Sequence, residues 1–158
     1  MKYVLDDLLR IRLLREERAE RELLMRRQEL NNAIRFLRER EEDLARYRLW
    51  RPLEEEKLFK EVQNKLVKRE DVENLRIKIG LLREREIAKE GEVQEAKRKL
   101  QEAENLFNKA KNSYREALQG RQKIEEHRKV WLLEAKKQEE EKSDKELEEF
   151  SSTIKVEF

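Results

Sequence analysis

The sequence predicts an all-α chain, a long two-helix antiparallel coiled-coil hairpin, and three observations carry that reading. Of the 158 residues 48% are charged, and only 3 Gly and 1 Pro interrupt them. Apolar residues recur in alternating steps of three and four through both halves of the chain. A stretch of looser spacing separates the halves, so one chain holds two seams able to face each other.

High charge with few apolar residues also marks disordered chains, and periodicity decides between the two. The second arm is the clearer. Val93, Leu100, Phe107 and Tyr114 stand seven apart, Ala96, Ala103, Ala110 and Ala117 follow each by three, and the seam continues through Ile124 and Trp131 to Ala135. In the first arm Leu9, Glu16, Leu23, Leu30, Leu37 and Leu44 stand seven apart, with Arg12, Ala19, Arg26, Ala33, Arg40 and Tyr47 three residues after each. Large residues on one arm can then meet small residues or flexible Arg stems on the other.

Apolar spacing loosens around Leu66 to Leu75, and residues 67–71 are polar. This places the first arm at about 3–66, the turn at about 67–71 with Asp71 capping the next helix, and the second arm at about 72–137. That turn pairs Leu37 with Ala103, Leu44 with Ala96, Tyr47 with Val93, Arg40 with Leu100, Arg12 with Arg128, Ala19 with Arg121, Glu16 with Ile124 and Leu9 with Trp131. The heptad leaves the pairing free in steps of seven, so the turn position makes the choice. Pro52 predicts a kink or short break at Leu49 to Pro52. Beyond it the pairing slips by one residue and matches Phe59 with Leu82, Val62 with Ile79 and Leu66 with Leu75.

Residues 1–137 are thus read as the hairpin and 138–158 as an acidic helical or disordered tail, expected to fray. The tail holds eight acids and three lysines, a net −5, which leaves +7 on the hairpin. Residues 1–27 and 115–137, at the open end, account for +5 of that surplus.

Composition narrows the function classes. The 39 basic and 37 acidic residues are interleaved, as on solvated helix faces, so a nucleic-acid-binding rod is disfavoured. No apolar run approaches the roughly 18 residues of a membrane span. Met1 to Leu14 carries Asp6, Asp7, Arg10 and Arg12 where a signal peptide would be apolar. A cytoplasmic protein without membrane insertion, monomeric in isolation, is expected. Zero cysteines exclude disulfides and Cys-ligated metal. A two-helix hairpin offers no concave, partly dry pocket for convergent groups, so no catalytic residues and no cofactor are expected. His127, the single histidine, has no companion ligand for a metal, and Gly80, Gly91 and Gly120 are isolated rather than part of a phosphate loop.

Two groups of residues exceed what a seam needs. Leu5 and Leu9 serve the seam, while Val4, Leu8 and Ile11 line a neighbouring face at helical spacing, followed by Arg15. Leu49, Leu53 and Leu81 should point outward near Trp50. Trp131 falls on the seam and is expected to pack.

Three segments resemble the type III secretion stalk proteins of the YscO group, relatives of the flagellar export protein FliJ. They are Leu8-Leu9-Arg10-Ile11-Arg12-Leu13-Leu14-Arg15-Glu16-Glu17-Arg18-Ala19-Glu20-Arg21, Tyr47-Arg48-Leu49-Trp50-Arg51-Pro52-Leu53-Glu54-Glu55-Glu56-Lys57-Leu58-Phe59, and Gly80-Leu81-Leu82-Arg83-Glu84-Arg85-Glu86. The acidic Asp144-Lys145-Glu146-Leu147-Glu148-Glu149-Phe150 is similar to the ending of that family. The resemblance implies the same hairpin, with Pro52 a departure from the family's pattern. It further implies a central stalk that enters a hexameric secretion ATPase, contacts the cytoplasmic ring of the export gate and takes part in recycling secretion chaperones. On that footing Val4, Leu8, Ile11 and Arg15 are candidates for the ATPase contact. Leu49, Trp50, Leu53 and Leu81 are candidates for the export-gate or chaperone contact. A passive coiled-coil spacer or adaptor is the alternative.

Overall fold

A computed structural model describes residues 2–64 and 68–157. They form two helices, α1 (Asp6–Gln63) and α2 (Arg69–Glu157), and no strand. Contacts divide the chain into two units, Met1–Leu23 with Ala110–Phe158, and Leu24–Lys109. Within each unit a stretch of α1 packs antiparallel against a stretch of α2, the hairpin that the paired seams call for.

The helix ends follow from local chemistry. Asp6 and Asp7 place negative charge at the positive pole of α1, and the Asp6 N–H donates to the Tyr3 carbonyl at 3.2 Å. At the other end Lys60 sits in the last turn and the Asn64 N–H donates to its carbonyl at 3.2 Å. At the start of α2 the Lys68 N–H donates to Asp71 Oδ2 at 3.3 Å, while the Asp71 N–H donates to the Lys68 carbonyl at 3.0 Å. Asp71 therefore works from inside the first turn, as the acidic half of a capping box, rather than as the residue before the helix. Residues 69–71, expected in the turn, are helical, and Val67 lies outside the described residues.

An earlier turn moves the pairing by about one heptad, the freedom that the seams themselves leave. In the second unit the Tyr47 O–H donates to the Leu82 carbonyl at 2.5 Å, and the Lys89 ammonium lies 5.4 Å from the Tyr47 ring centroid; Val93 is not its partner. Arg40 pairs with Glu92 at 3.6 Å rather than standing at Leu100, and Lys99 lies 5.6 Å from the Phe36 centroid. In the first unit Arg121 binds Glu16, Arg128 pairs with Asp6 at 3.4 Å, and Trp131 meets Tyr3 in place of Leu9. Toward the turn Leu58 and Val62 line a shallow groove with Leu75 and Lys78, and Phe59 is half exposed instead of facing Leu82. Leu66, expected opposite Leu75, lies outside the described residues.

The core is a stripe. Leu44, Tyr47, Leu75, Val93 and Ala96 are buried in the second unit, and Tyr3 and Ala110 in the first. Ala96 is fully buried because a methyl side chain lets the opposing helix close over it.

No break occurs at Pro52, which sits inside a continuous α1. The proline withholds one helical hydrogen bond, yet ion pairs to α2 flank it on both sides. Arg48 reaches Glu86 at 3.1 Å and Glu90 at 2.6 Å; Arg51 reaches Glu55 at 2.8 Å and Glu86 at 3.1 Å; Glu55 also accepts Arg83 at 3.4 Å. The Arg51 Nε is buried and out of line for a hydrogen bond, so its contact with Glu86 is coulombic. Arg51, Glu55 and Glu86 are mostly buried, which makes this network worth more than isolated surface pairs.

The tail is helical: α2 continues to Glu157, with every described side chain from Gln138 to Ile154 exposed. Two mid-helix glycines give a direct stability prediction. A Cβ at Gly80 or Gly91 would meet nothing within 4 Å, so Gly80→Ala and Gly91→Ala should each stabilise by about 0.5–1 kcal/mol and raise Tm in a thermal melt. At Gly120 a Cβ would lie 3.2 Å from Arg12 Nη1, so Gly120→Ala should gain less.

Candidate docking surfaces

In the first unit the segment before α1 is held by an aromatic cluster. Tyr3 is 2% exposed, shares a hydrogen bond between its hydroxyl and His127 Nδ1, and packs edge-on against Trp131 with centroids 5.3 Å apart. A buried Tyr3 turns the next residue outward. Val4 is 78% exposed, Ile11 is 46% exposed and Arg15 is exposed, whereas Leu8 is half-buried between the seam and the outer face. The stripe therefore presents Val4 and Ile11, with Leu8 closing its inner side. Trp131 packs as the seam requires, on Tyr3, and His127 is occupied by its hydrogen bond with that tyrosine.

In the second unit Leu49 and Leu53, 76% and 66% exposed, stand one turn apart on the outer face of α1. Trp50 is tilted onto Tyr47 with centroids 5.6 Å apart and is half exposed, so it both covers the tyrosine and presents an edge. Leu81 is exposed and precedes Leu82, whose carbonyl accepts the Tyr47 hydroxyl; it lies at the level of Trp50 on the other helix. Charge surrounds these apolar residues. Asp43 bonds Lys89 at 2.7 Å, and that hydrogen bond holds its carboxyl below the ordinary Asp range. Glu90 and Glu86 raise the pKa of Arg48, and it stays charged. Arg121, in the first unit, is raised likewise by Glu16 and Glu125.

Sequence periodicity alone does not single out Tyr3, which precedes the first regular repeat. Its signal is an aromatic residue close in space to the seam Trp131, visible only in the true register. No helix among the described residues is long and apolar enough to cross a membrane.

Both units therefore present exposed apolar side chains on the outer faces of their helices. The comparisons agree on what kind of chain this is. The family model described as type III secretion protein YscO matches residues 5–153. The crystal structure of type III secretion protein YscO from Vibrio parahaemolyticus is similar with a TM-score of 0.84 and 28% identity, covering 92% of each chain. A putative YscO homolog from Chlamydia trachomatis, CT670, shares the fold with a TM-score of 0.79 at 21% identity, over 98% of this chain and 94% of that one. No curated protein sequence matches the chain. A match over nearly the full length, together with the antiparallel hairpin, makes the chain a member of the YscO family of type III secretion proteins.

Proposed function

We propose that the chain is the non-enzymatic central stalk of a type III secretion apparatus, working in the cytoplasm and linking a hexameric secretion ATPase to the export gate. The observation that carries this reading is the exposure of Val4 and Ile11 at a basic end of the helix pair, in a chain of the YscO family. An apolar stripe with Arg15 beside it suits contact with several subunits of a ring, because neither apolar contact nor diffuse charge demands one fixed geometry. Leu49, Trp50, Leu53 and Leu81 form the second surface, assigned to the export-gate ring and to secretion chaperones in their recycling.

The test is direct. Purified chain added to the purified hexameric ATPase should accelerate ATP hydrolysis, and an unchanged rate would leave a passive spacer or adaptor. The second surface has its own test. Leu49→Asp with Leu53→Asp should leave the melting temperature unchanged, since both side chains are exposed, and should reduce secretion at normal protein levels. Undiminished secretion removes this surface from the assignment.

A further inference from the structure

We propose that the end of α2 pairs antiparallel with the same segment of a second copy, centred on Ser143. Leu132, Leu147, Phe150 and Ile154 are exposed, the last three at 60%, 65% and 39%, and their spacing of three and four places them on one flank of the helix. Lys136, Glu139 and Ser143 fill the positions between, so steps of four and three run from Leu132 to Ser143. This is a second seam, distinct from the one occupied by α1. The segment before α1 reaches Trp131 through Tyr3, and α2 continues beyond that contact to Glu157.

Charge chooses the occupant and its direction. Residues 128–137 hold four basic side chains and one acid, whereas residues 139–149 hold seven acids and two lysines. A parallel copy would set acid against acid. An antiparallel copy centred on Ser143 sets each basic half on the partner's acidic half, with Leu132 opposite Ile154, Lys136 opposite Phe150, Glu139 opposite Leu147 and Lys137 opposite Glu149. The lysine stem at 136 can cover the Phe150 ring while its ammonium reaches the acids beside it. The small Ser143 sits on the two-fold axis, where the helices come closest. Because the tail is one unbroken helix with the base, it cannot fold back to use its own lysines.

The seam is short, so the pairing is weak: monomer at low concentration and dimer at high concentration. Sedimentation equilibrium of the full chain should show a monomer–dimer equilibrium that tightens as salt is lowered. Leu147→Asp with Phe150→Asp should stay monomeric at every concentration and keep its helix content. The chain has no native cysteine, so Ser143→Cys should form a disulfide-linked dimer on oxidation while Glu148→Cys should not. A wild type that stays monomeric at its highest soluble concentration overturns the proposal and leaves the face to a different protein. A dimer that survives the double substitution, or one in which Cys at 148 links as readily as Cys at 143, overturns it equally.

Discussion

The double variant Val4→Asp with Ile11→Asp is expected to fold as the wild type and to lose stimulation of the secretion ATPase. Both side chains are exposed, so the substitutions leave the seam untouched, and surface changes of this kind typically alter stability by no more than about 0.5 kcal/mol. Leu8 is left in place because it is half-buried, and a carboxylate there would confound binding with folding. Two carboxylates on the stripe remove its apolar contact and cancel neighbouring positive charge. Stimulation by the wild type should weaken with added salt without vanishing, since screening acts on charge and spares apolar contact. Full stimulation by the double variant at an unchanged melting temperature would exclude this stripe from the ATPase contact.

Among stability variants the largest effect is expected from Leu44→Ala. Leu44 is 7% exposed, one of the few buried residues in a core only one stripe wide. Removing its side chain forfeits transfer energy and opens a gap that two helices cannot readily close, for a cost of about 3 kcal/mol. Leu53→Ala, one of the exposed leucines on the same helix, serves as the control and should change stability by less than about 0.5 kcal/mol. Chemical denaturation of both variants checks the contrast, and equal losses would mean that Leu44 is not a core residue.

The two helices and their antiparallel pairing are legible in the sequence because the seams at Leu23, Leu30, Leu37 and Leu44 and at Val93, Leu100 and Phe107 have one period throughout. The register is not, because a heptad repeat fits equally well after a slip of seven. The residues around the turn contain neither Gly nor Pro to mark it, and an acid such as Asp71 suits the position before a helix or its first turn. Pro52 signals a break when read alone. Its continuity comes from Arg48, Arg51 and Glu55 meeting Arg83, Glu86 and Glu90, residues distant in sequence. Exposure of Val4, Ile11, Leu49 and Leu53 follows from their positions off the seam. The half-burial of Leu8 depends on how the helices meet. In the tail the density of glutamates hides the spacing of Leu147, Phe150 and Ile154, and a frayed end is the natural expectation. The identity of the partners is not written in any of these faces, because a stripe specifies apolar area and charge, and many surfaces supply both.

Intramolecular crosslinking tests the hairpin and its register most directly, on a chain free of native cysteine. The Arg40–Glu92 ion pair and the Lys99–Phe36 contact bracket Leu37 and Ala96, which should therefore face each other. Cysteines at Leu37 and Ala96, joined by a short bifunctional reagent at low protein concentration, should crosslink within one chain, and cysteines at Leu37 and Ala103 should do so poorly. Preferred linkage of 37 to 103 would contradict the register, and linkage only between chains would contradict the hairpin itself.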